Sequence, residues 1–237
     1  MLSDSPSSPS PASVEQPFPG GRPVRIGVLL SGKGRGTNLQ ALLDSCAEGR
    51  ITGEVAVAVS TTPGAPALER ARVRDIPALT LSRKSFPDDA SLDGALLEAL
   101  QEHRVDLVCL SGYMRKAGPG LCGAFRWRMM NIHPGLIPAF CGHGLYGGKV
   151  HAAVLEYGAK VSGVTVHFAT EEYDAGPIIL QKCVPVEEGD TPETLAARIL
   201  PVEHAAYSEA VQLFAKGRLT VEDSRRVRIL PPAGHGQ

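Results

Sequence analysis

An excess of charge of either sign is the first thing this sequence lacks. Its 24 Lys and Arg against 25 Asp and Glu leave a formal net charge of -1. There is thus no basic field of the kind that holds a nucleic-acid backbone or an anionic membrane. Long hydrophobic runs are missing as well, since no apolar stretch approaches the roughly 18 residues of a membrane span. Cysteine is sparse and unpatterned. Cys46, Cys109, Cys122, Cys141 and Cys183 are odd in number, scattered, and free of any C-x-x-C spacing. Inside apolar runs such as "VDLVCLSG" a cysteine acts as a small buried hydrophobe, which fits a reducing compartment. The first 23 residues lack the charged start and apolar run of a signal peptide. Rich in Ser and Pro, they read as a disordered tail outside the fold, and the expected location is cytoplasmic. No two histidines have metal-ligand spacing, so no metal is expected.

What remains is an ordinary globular composition, 43% hydrophobic and 21% charged over 237 residues, enough for a sizeable core. From Arg25 a regular pattern begins. "RIGVLL" reads as a buried strand, "SGKGRGT" as a glycine loop, and "NLQALLDSCAEG" as a helix with apolar residues at i, i+3 and i+4. Strands "EVAVAVS", "PALTLS", "VDLVCLSG" and "RMMNI" follow, interleaved with helical "PALERARVRD" and "DDASLDGALLEALQEHR". This alternation predicts an α/β fold, a mostly parallel sheet with helices on both faces. Beyond Pro138, "GKVHAAVLEYG" reads as a helix and "VSGVTVHFAT" as a half-buried strand with alternating apolar and polar residues. "PIILQKCVPV" lies within hairpin distance of it. A long helix with Pro201 inside is expected to kink or break there. The division expected is a tail over 1–23, one domain over 24–219, and a closing hairpin and tail over 220–237.

Three stretches carry residues suited to chemistry. In "MMNIHPGLIPAF", Asn131 and His133 end an apolar run two residues apart, and Pro134 and Pro138 stiffen the turn that follows. A strand end that must point outward and stay rigid fits this pattern, and so does a plain strand end with a hydrogen-bonded histidine. "LLSGKGRGTNLQ" runs strand, glycine loop, helix, an arrangement whose backbone N–H groups and helix dipole suit an anion. A βα turn with no ligand fits equally. The loop is not a dinucleotide fingerprint, because its spacing is G-x-G-x-G and the next strand ends without an acidic residue. Nor is it a P-loop, since no lysine precedes Thr37, and "GHGLYGGKV" fails the same test at Val150. In "HFATEEYDAGPIILQ", Asp174 stands either toward a cleft or bonded to its own turn. His167 and His151 carry no such signal, being placed in an alternating strand and on a helix face.

Taken together and in order, "SGKGRGTNLQALL", "SGYMR", "NIHPGLIPAF", "SGVTVHF", "YDAGPIILQ" and "VEHAAY" resemble the phosphoribosylglycinamide formyltransferase family, over about residues 25–219. The resemblance implies the Rossmann-like formyltransferase fold and a purine-synthesis reaction. In it, 10-formyltetrahydrofolate is the co-substrate and glycinamide ribonucleotide the acceptor, with no metal. It implies that Asn131 and His133 stabilise the oxyanion formed on the formyl group, and that Asp174 holds the imidazole and favours its charged form. It places Gly36, Thr37 and Asn38 at the nucleotide phosphate and Glu203 at the ribose. Met114, Arg115, Lys116 and Ala117, with Thr170, Glu171, Glu172, Tyr173 and Asp174, flank the pterin, as does Asn131. It further implies a cis bond at Ile137-Pro138. The expected partners are therefore small molecules, not nucleic acid or a membrane, and no motif speaks to oligomeric state.

The sequence departs from the family pattern in places. The phosphate loop is two residues longer than the common form, "PGLIP" replaces "PSLLP", and Asp89 stands where a basic residue near the folate tail is frequent. Asp89 is therefore not expected to bind folate. Among relatives on the same fold, methionyl-tRNA formyltransferase would call for a further C-terminal domain and a basic face. Formyltetrahydrofolate deformylase would call for a regulatory domain before the glycine loop. Neither is expected here, nor is a non-catalytic nucleotide binder, given Asn131, His133 and Asp174 together.

Overall fold

The computed structural model describes residues 13–32 and 34–232. The N-terminal residues 1–12, Lys33 and residues 233–237, His235 among them, lie outside the described residues. The elements in chain order are β1 (Val14–Glu15), β2 (Val24–Leu30), α1 (Thr37–Ala47), β3 (Gly53–Ser60), α2 (Glu69–Arg72) and β4 (Ala78–Thr80). Then come α3 (Asp89–Glu102), β5 (Leu107–Leu110), α4 (Pro119–Ala124), β6 (Met129–His133), α5 (Gly148–Tyr157) and β7 (Val161–Phe168). The chain closes with β8 (Ile178–Pro185), α6 (Pro192–Ala215), β9 (Leu219–Glu222) and β10 (Arg226–Ile229).

Seven strands form the main sheet in the order β4-β3-β2-β5-β6-β7-β8. The first five run parallel, and β7 is antiparallel to both its neighbours. The apolar run of β2 is buried on both faces, as a parallel central strand must be. Ile26, Val28 and Leu30 pack with Leu39 and Leu42 of α1 and Ile199 and Phe214 of α6. Leu29 points the other way, into a second cluster with Leu92 and Leu96 of α3 and Leu121 of α4. From β2 the chain works outward through β3 and β4, then returns to β5 on the opposite side of β2. Strand order thus reverses between β2 and β5, and α/β sheets bind ligands in the crevice beyond the carboxyl ends at such a point. The glycine loop leaves β2 there, and "SGYMR" leaves β5. Ser31 ties the two loops together, accepting the Met114 N–H at its Oγ and donating its own N–H to the Gly112 carbonyl.

Several expectations need correction. Residues 13–23 are not a detached tail. Val14 and Glu15 pair antiparallel with Val221 and Glu222 of β9, and Phe18 is 5% exposed, stacked on Phe214 with ring centroids 5.1 Å apart. Phe18, the free edge of β9 and the contacts of Gln16 with the Gly217 carbonyl and of Arg22 with Asp106 dock a segment whose proline-rich composition reads as disorder. The helix does not break at Pro201, for α6 runs unbroken through it. Pro201 cannot donate to the Ala197 carbonyl, but it faces solvent, while Leu195 and Ile199 before it and Ala206 and Tyr207 after it are buried. Strand β7 is not half-buried: every residue after Val161 is inside, Thr165 and His167 included. Helix α4, with two glycines and a proline in six residues, lacks a helical signal in the sequence, and "PALERARVRD" shrinks to a short turn and the four residues of α2. The hairpin β9–β10 forms as expected, one residue early, and joins β1 in a small second sheet. Among the described residues no helix is long and apolar enough to cross a membrane.

Candidate active site

Because side chains alternate along a strand, Asn131 and His133 share one face of β6. The antiparallel register sets His167 directly across from Asn131 and Thr165 across from His133. Four polar side chains thus form one patch where the apolar sheet ends. Each has a specific partner. His167 Nδ1 lies 2.9 Å from the Phe168 carbonyl, which can only accept, so this nitrogen carries the proton. In the neutral ring Nε2 is then an acceptor, and the Asn131 amide N–H meets it at 3.2 Å. The same amide nitrogen lies 3.4 Å from Asp174 Oδ1. Asp174 takes a left-handed φ of 52° that aims its carboxylate inward. Its Oδ1 is 3.5 Å from His167 Nε2 and its Oδ2 is 3.6 Å from His133 Nδ1. The Gly142 N–H donates to Oδ2 at 2.9 Å. His133 Nε2 donates to the Phe140 carbonyl at 2.9 Å, which leaves Nδ1 of the neutral ring as the basic atom facing Asp174.

Burial holds the His133 imidazole below the ordinary histidine value, although Asp174 and the Phe140 carbonyl pull it upward. Asp174 pulls the ring toward its charged form, but desolvation outweighs that pull. For Asp174 burial acts to raise the carboxyl, yet the attraction of His167 and His133 when these rings are protonated, with the Gly142 N–H, keeps it below the usual carboxylate range. A proton arriving at His133 Nδ1 would find this carboxylate waiting.

The loop after β6 is clamped from below. Thr165 Oγ1, fully buried, donates to the Gly135 carbonyl at 2.7 Å and accepts the Ile137 N–H at 3.1 Å. Gln181 on β8 donates to the Ile137 carbonyl at 2.9 Å. The Ile137-Pro138 bond is cis, as the resemblance implied. Gly135 leaves no room for a side chain, since a Cβ there would fall 2.9 Å from His133 Nε2.

A cavity of about 970 Å³ opens over this patch, lined by Asn131, His133 and Asp174 together with Arg35, Asn38 and Glu203. Gly36 takes a φ of 68°, caps α1 without a side chain, and packs so closely on Ala67 that a Cβ would lie 2.5 Å away. The first N–H groups of α1 at Thr37 and Asn38 are therefore not covered by a capping side chain. Arg70 of α2 holds the loop by donating to the Arg35 carbonyl at 2.6 Å. Asn38 Nδ2 donates to Glu203 Oε1 at 2.6 Å, joining the residues expected at phosphate and ribose. Burial raises the Glu203 carboxyl above its usual value, against the pull of Asn38. One turn on, Tyr207 is buried with its hydroxyl 3.0 Å from the Leu110 and Met130 carbonyls, which moors α6 to β5 and β6.

On the other side of Asn131 lie a small cavity of about 40 Å³ and an adjoining one of about 780 Å³. Arg115, Lys116, Ala117, Thr170, Glu171, Glu172 and Tyr173 line them, with Asn131, His167 and Asp174 at the inner end. Met114 and Tyr173 face both large cavities, and the Tyr173 hydroxyl lies 3.4 Å from the Met114 carbonyl. The residues proposed from the sequence thus line these cavities, of which the small one and the one of about 970 Å³ share Asn131 and Asp174. The exceptions are Gly36 and Thr37, which lie in the chain between the lining residues Arg35 and Asn38. The sequence reading missed His167, Thr165 and Gln181, and also Asp93, which accepts the Gly118 and Leu121 N–H groups at 2.9 and 3.0 Å and so shapes the loop after β5. Only Asp93 carried a signal, a charged residue among the buried Leu92, Leu96 and Leu100 of α3. Thr165 and His167 occupy the polar positions of an alternating strand, and Gln181 is exposed.

The profile of the formyl transferase family matches residues 24–211. The chain is 37% identical over 215 residues to phosphoribosylglycinamide formyltransferase of Escherichia coli (strain K12), covering 90% of this chain and 98% of that one. It is 38% identical over 204 residues to the trifunctional purine biosynthetic protein adenosine-3 of Bos taurus, covering 86% of this chain but spanning only 20% of that protein's length. Among solved structures, glycinamide ribonucleotide transformylase 1 from Symbiobacterium toebii superposes with a TM-score of 0.83 at 53% identity, over 89% of this chain and 96% of that one.

Proposed function

Given that this chain belongs to the formyl transferase family, we propose that it moves the formyl group of 10-formyltetrahydrofolate onto the primary amine of 5-phosphoribosylglycinamide, a step of purine biosynthesis. The observation that carries this reading is that the small folate-side cavity and the cavity of about 970 Å³ share Asn131 and Asp174, with His133 beside them in the larger one. The larger is lined by Arg35 and Asn38, beside an uncapped helix start suited to a phosphate. The small one continues into the cavity of about 780 Å³, whose lining includes the apolar Leu92, Leu96, Tyr113 and Ala117.

The amine adds to the formyl carbon, forming a C–N bond while the C=O π pair moves onto oxygen. Asn131 donates to that oxygen. Its amide nitrogen has two hydrogens, and the one shared with Asp174 at 3.4 Å makes a weak bond that an incoming oxygen displaces at little cost. His167 holds the amide in the right orientation through the stronger 3.2 Å contact. The adding amine must lose a proton, and neutral His133 takes it at Nδ1, where Asp174 stabilises the resulting imidazolium. Breakage of the C–N10 bond leaves its electron pair on N10, and His133 returns the proton there. Tetrahydrofolate and formylglycinamide ribonucleotide result, with the enzyme restored. Gly36, Thr37 and Asn38 hold the phosphate, Glu203 the ribose hydroxyls, and the segments 114–117 and 170–174 the pterin.

The test follows loss of 10-formylfolate by purified protein with and without glycinamide ribonucleotide. Turnover that requires the nucleotide supports the reading. Equal turnover with water as acceptor would instead make the protein a deformylase.

A further inference from the structure

The larger folate-side cavity has two characters. Its buried lining is apolar, with Leu92, Leu96, Tyr113 and Ala117 all under 10% exposed, while its rim is charged. At that rim the exposed Asp89 side chain binds two arginines through one oxygen, Oδ1. Arg83 Nε and Arg115 Nη2 both converge on it. Arg83 is further fixed by donating to the Phe86 carbonyl at 2.8 Å. Asp89 and Arg115 line the cavity. Two guanidinium groups gathered around one carboxylate oxygen form a carboxylate-binding site, and the chain itself supplies the occupant.

Resting on the reading that this cavity takes 10-formyltetrahydrofolate, we propose that Asp89 is an internal competitor for the glutamate end of that cofactor. With the pterin against the backbone of 114–117 and 170–174 and N10 at Asn131, the benzoylglutamate leaves through the rim, where the Arg115 guanidinium lies beside Asp89. Its carboxylates have the chemistry that Arg83 and Arg115 select. Asp89 occupies both arginines until a tail carboxylate displaces it, and it discriminates least against tails that carry several glutamates. It thereby sets how strongly the enzyme distinguishes monoglutamyl from polyglutamyl cofactor. The contacts are exposed, so the effect is modest and sensitive to salt.

The experiment measures KM for monoglutamyl and pentaglutamyl 10-formyltetrahydrofolate, at low and high ionic strength, in wild type, Asp89→Asn and Arg83→Gln. Asp89→Asn should lower KM for the monoglutamyl form by about two- to fivefold, the size of one exposed ion pair, and narrow the gap between the two cofactors. Arg83→Gln should raise KM for both, more for the pentaglutamyl form. High salt should erase the differences. A rise in KM on Asp89→Asn would mean that Asp89 organises the arginines for the tail, and an unchanged KM that it serves only the start of α3. Either result overturns the proposal. Absence of turnover in wild type would instead refute the formyl-transfer reading beneath it.

Discussion

At Asn131 one amide nitrogen serves His167, Asp174 and, in the proposed reaction, the formyl oxygen. The formyl oxygen turns negative only as the amine adds, so a donor aimed at it acts on the transition state. Asn131→Ala should lower kcat by about 10²–10³, as for one oxyanion-hole donor. His133→Ala should cost about 10²–10⁴, the range of a positioned acid–base group. Asp174→Asn should be severely impaired and should shift the acid limb of the kcat/KM profile to lower pH. The sign follows from the cluster: burial already depresses His133, Asp174 opposes it, and removing the carboxylate lets the pKa fall further. Stopped-time assays on variants with wild-type circular dichroism measure all three. Near-normal kcat in every folded variant would refute the assignment. On the nucleotide side, Thr37→Ala and Asn38→Ala should weaken nucleotide binding by calorimetry more than they weaken folate binding. Equal losses for both ligands would contradict a phosphate site at the start of α1.

Among the elements, the N-terminal arm and α6 show how packing sets the frame for these residues. Phe18 sits against Phe214 on the buried face of α6, and Gln16 donates to the Gly217 carbonyl at 2.8 Å. The arm therefore braces the C-terminal end of the helix that carries Glu203. Phe18→Ala should destabilise the protein by about 3 kcal/mol, the scale of a buried aromatic lost to a cavity. Urea unfolding checks it, and a loss below about 0.5 kcal/mol, the scale of ordinary surface substitutions, would show the arm to be incidental.

Across the whole molecule, three histidines respond to acid in the same sense. Burial holds His133, His151 and His204 below the ordinary histidine value. Between the folded pKa and the unfolded value of about 6.5, the unfolded chain binds more protons, so stability rises with pH through that window. Asp174, whose folded pKa is depressed, adds stability above its unfolded value that is lost as pH falls toward the folded one. The melting temperature should thus drop as pH is lowered from 7.5 to 5, and His151→Gln should flatten part of that slope. A melting temperature that holds or climbs on acidification would contradict the buried, neutral state of these rings.

Periodicity and punctuation alone determined that β2 to β6 alternate with helices in a parallel sheet, because both depend only on neighbours in the chain. Asn131, His133, Asp174, the glycine loop and Glu203 were likewise legible, each lying in a short stretch whose order carried the family resemblance. The rest depended on separations the chain does not display. Whether Thr165 and His167 face water or the site is decided by β6 pairing antiparallel with β7, which no alternation within β7 can reveal. Phe18 joins the core only because α6 offers Phe214 and β9 a free edge, both some 200 residues away. Pro201 is tolerated within a helix because burial on either side outweighs one missing hydrogen bond. The neutral state of His133 is also a tertiary property, since a nearby aspartate can be guessed from a motif, whereas the desolvation that outweighs it exists only once the sheet, α5 and the loop at Phe140 have closed around the ring.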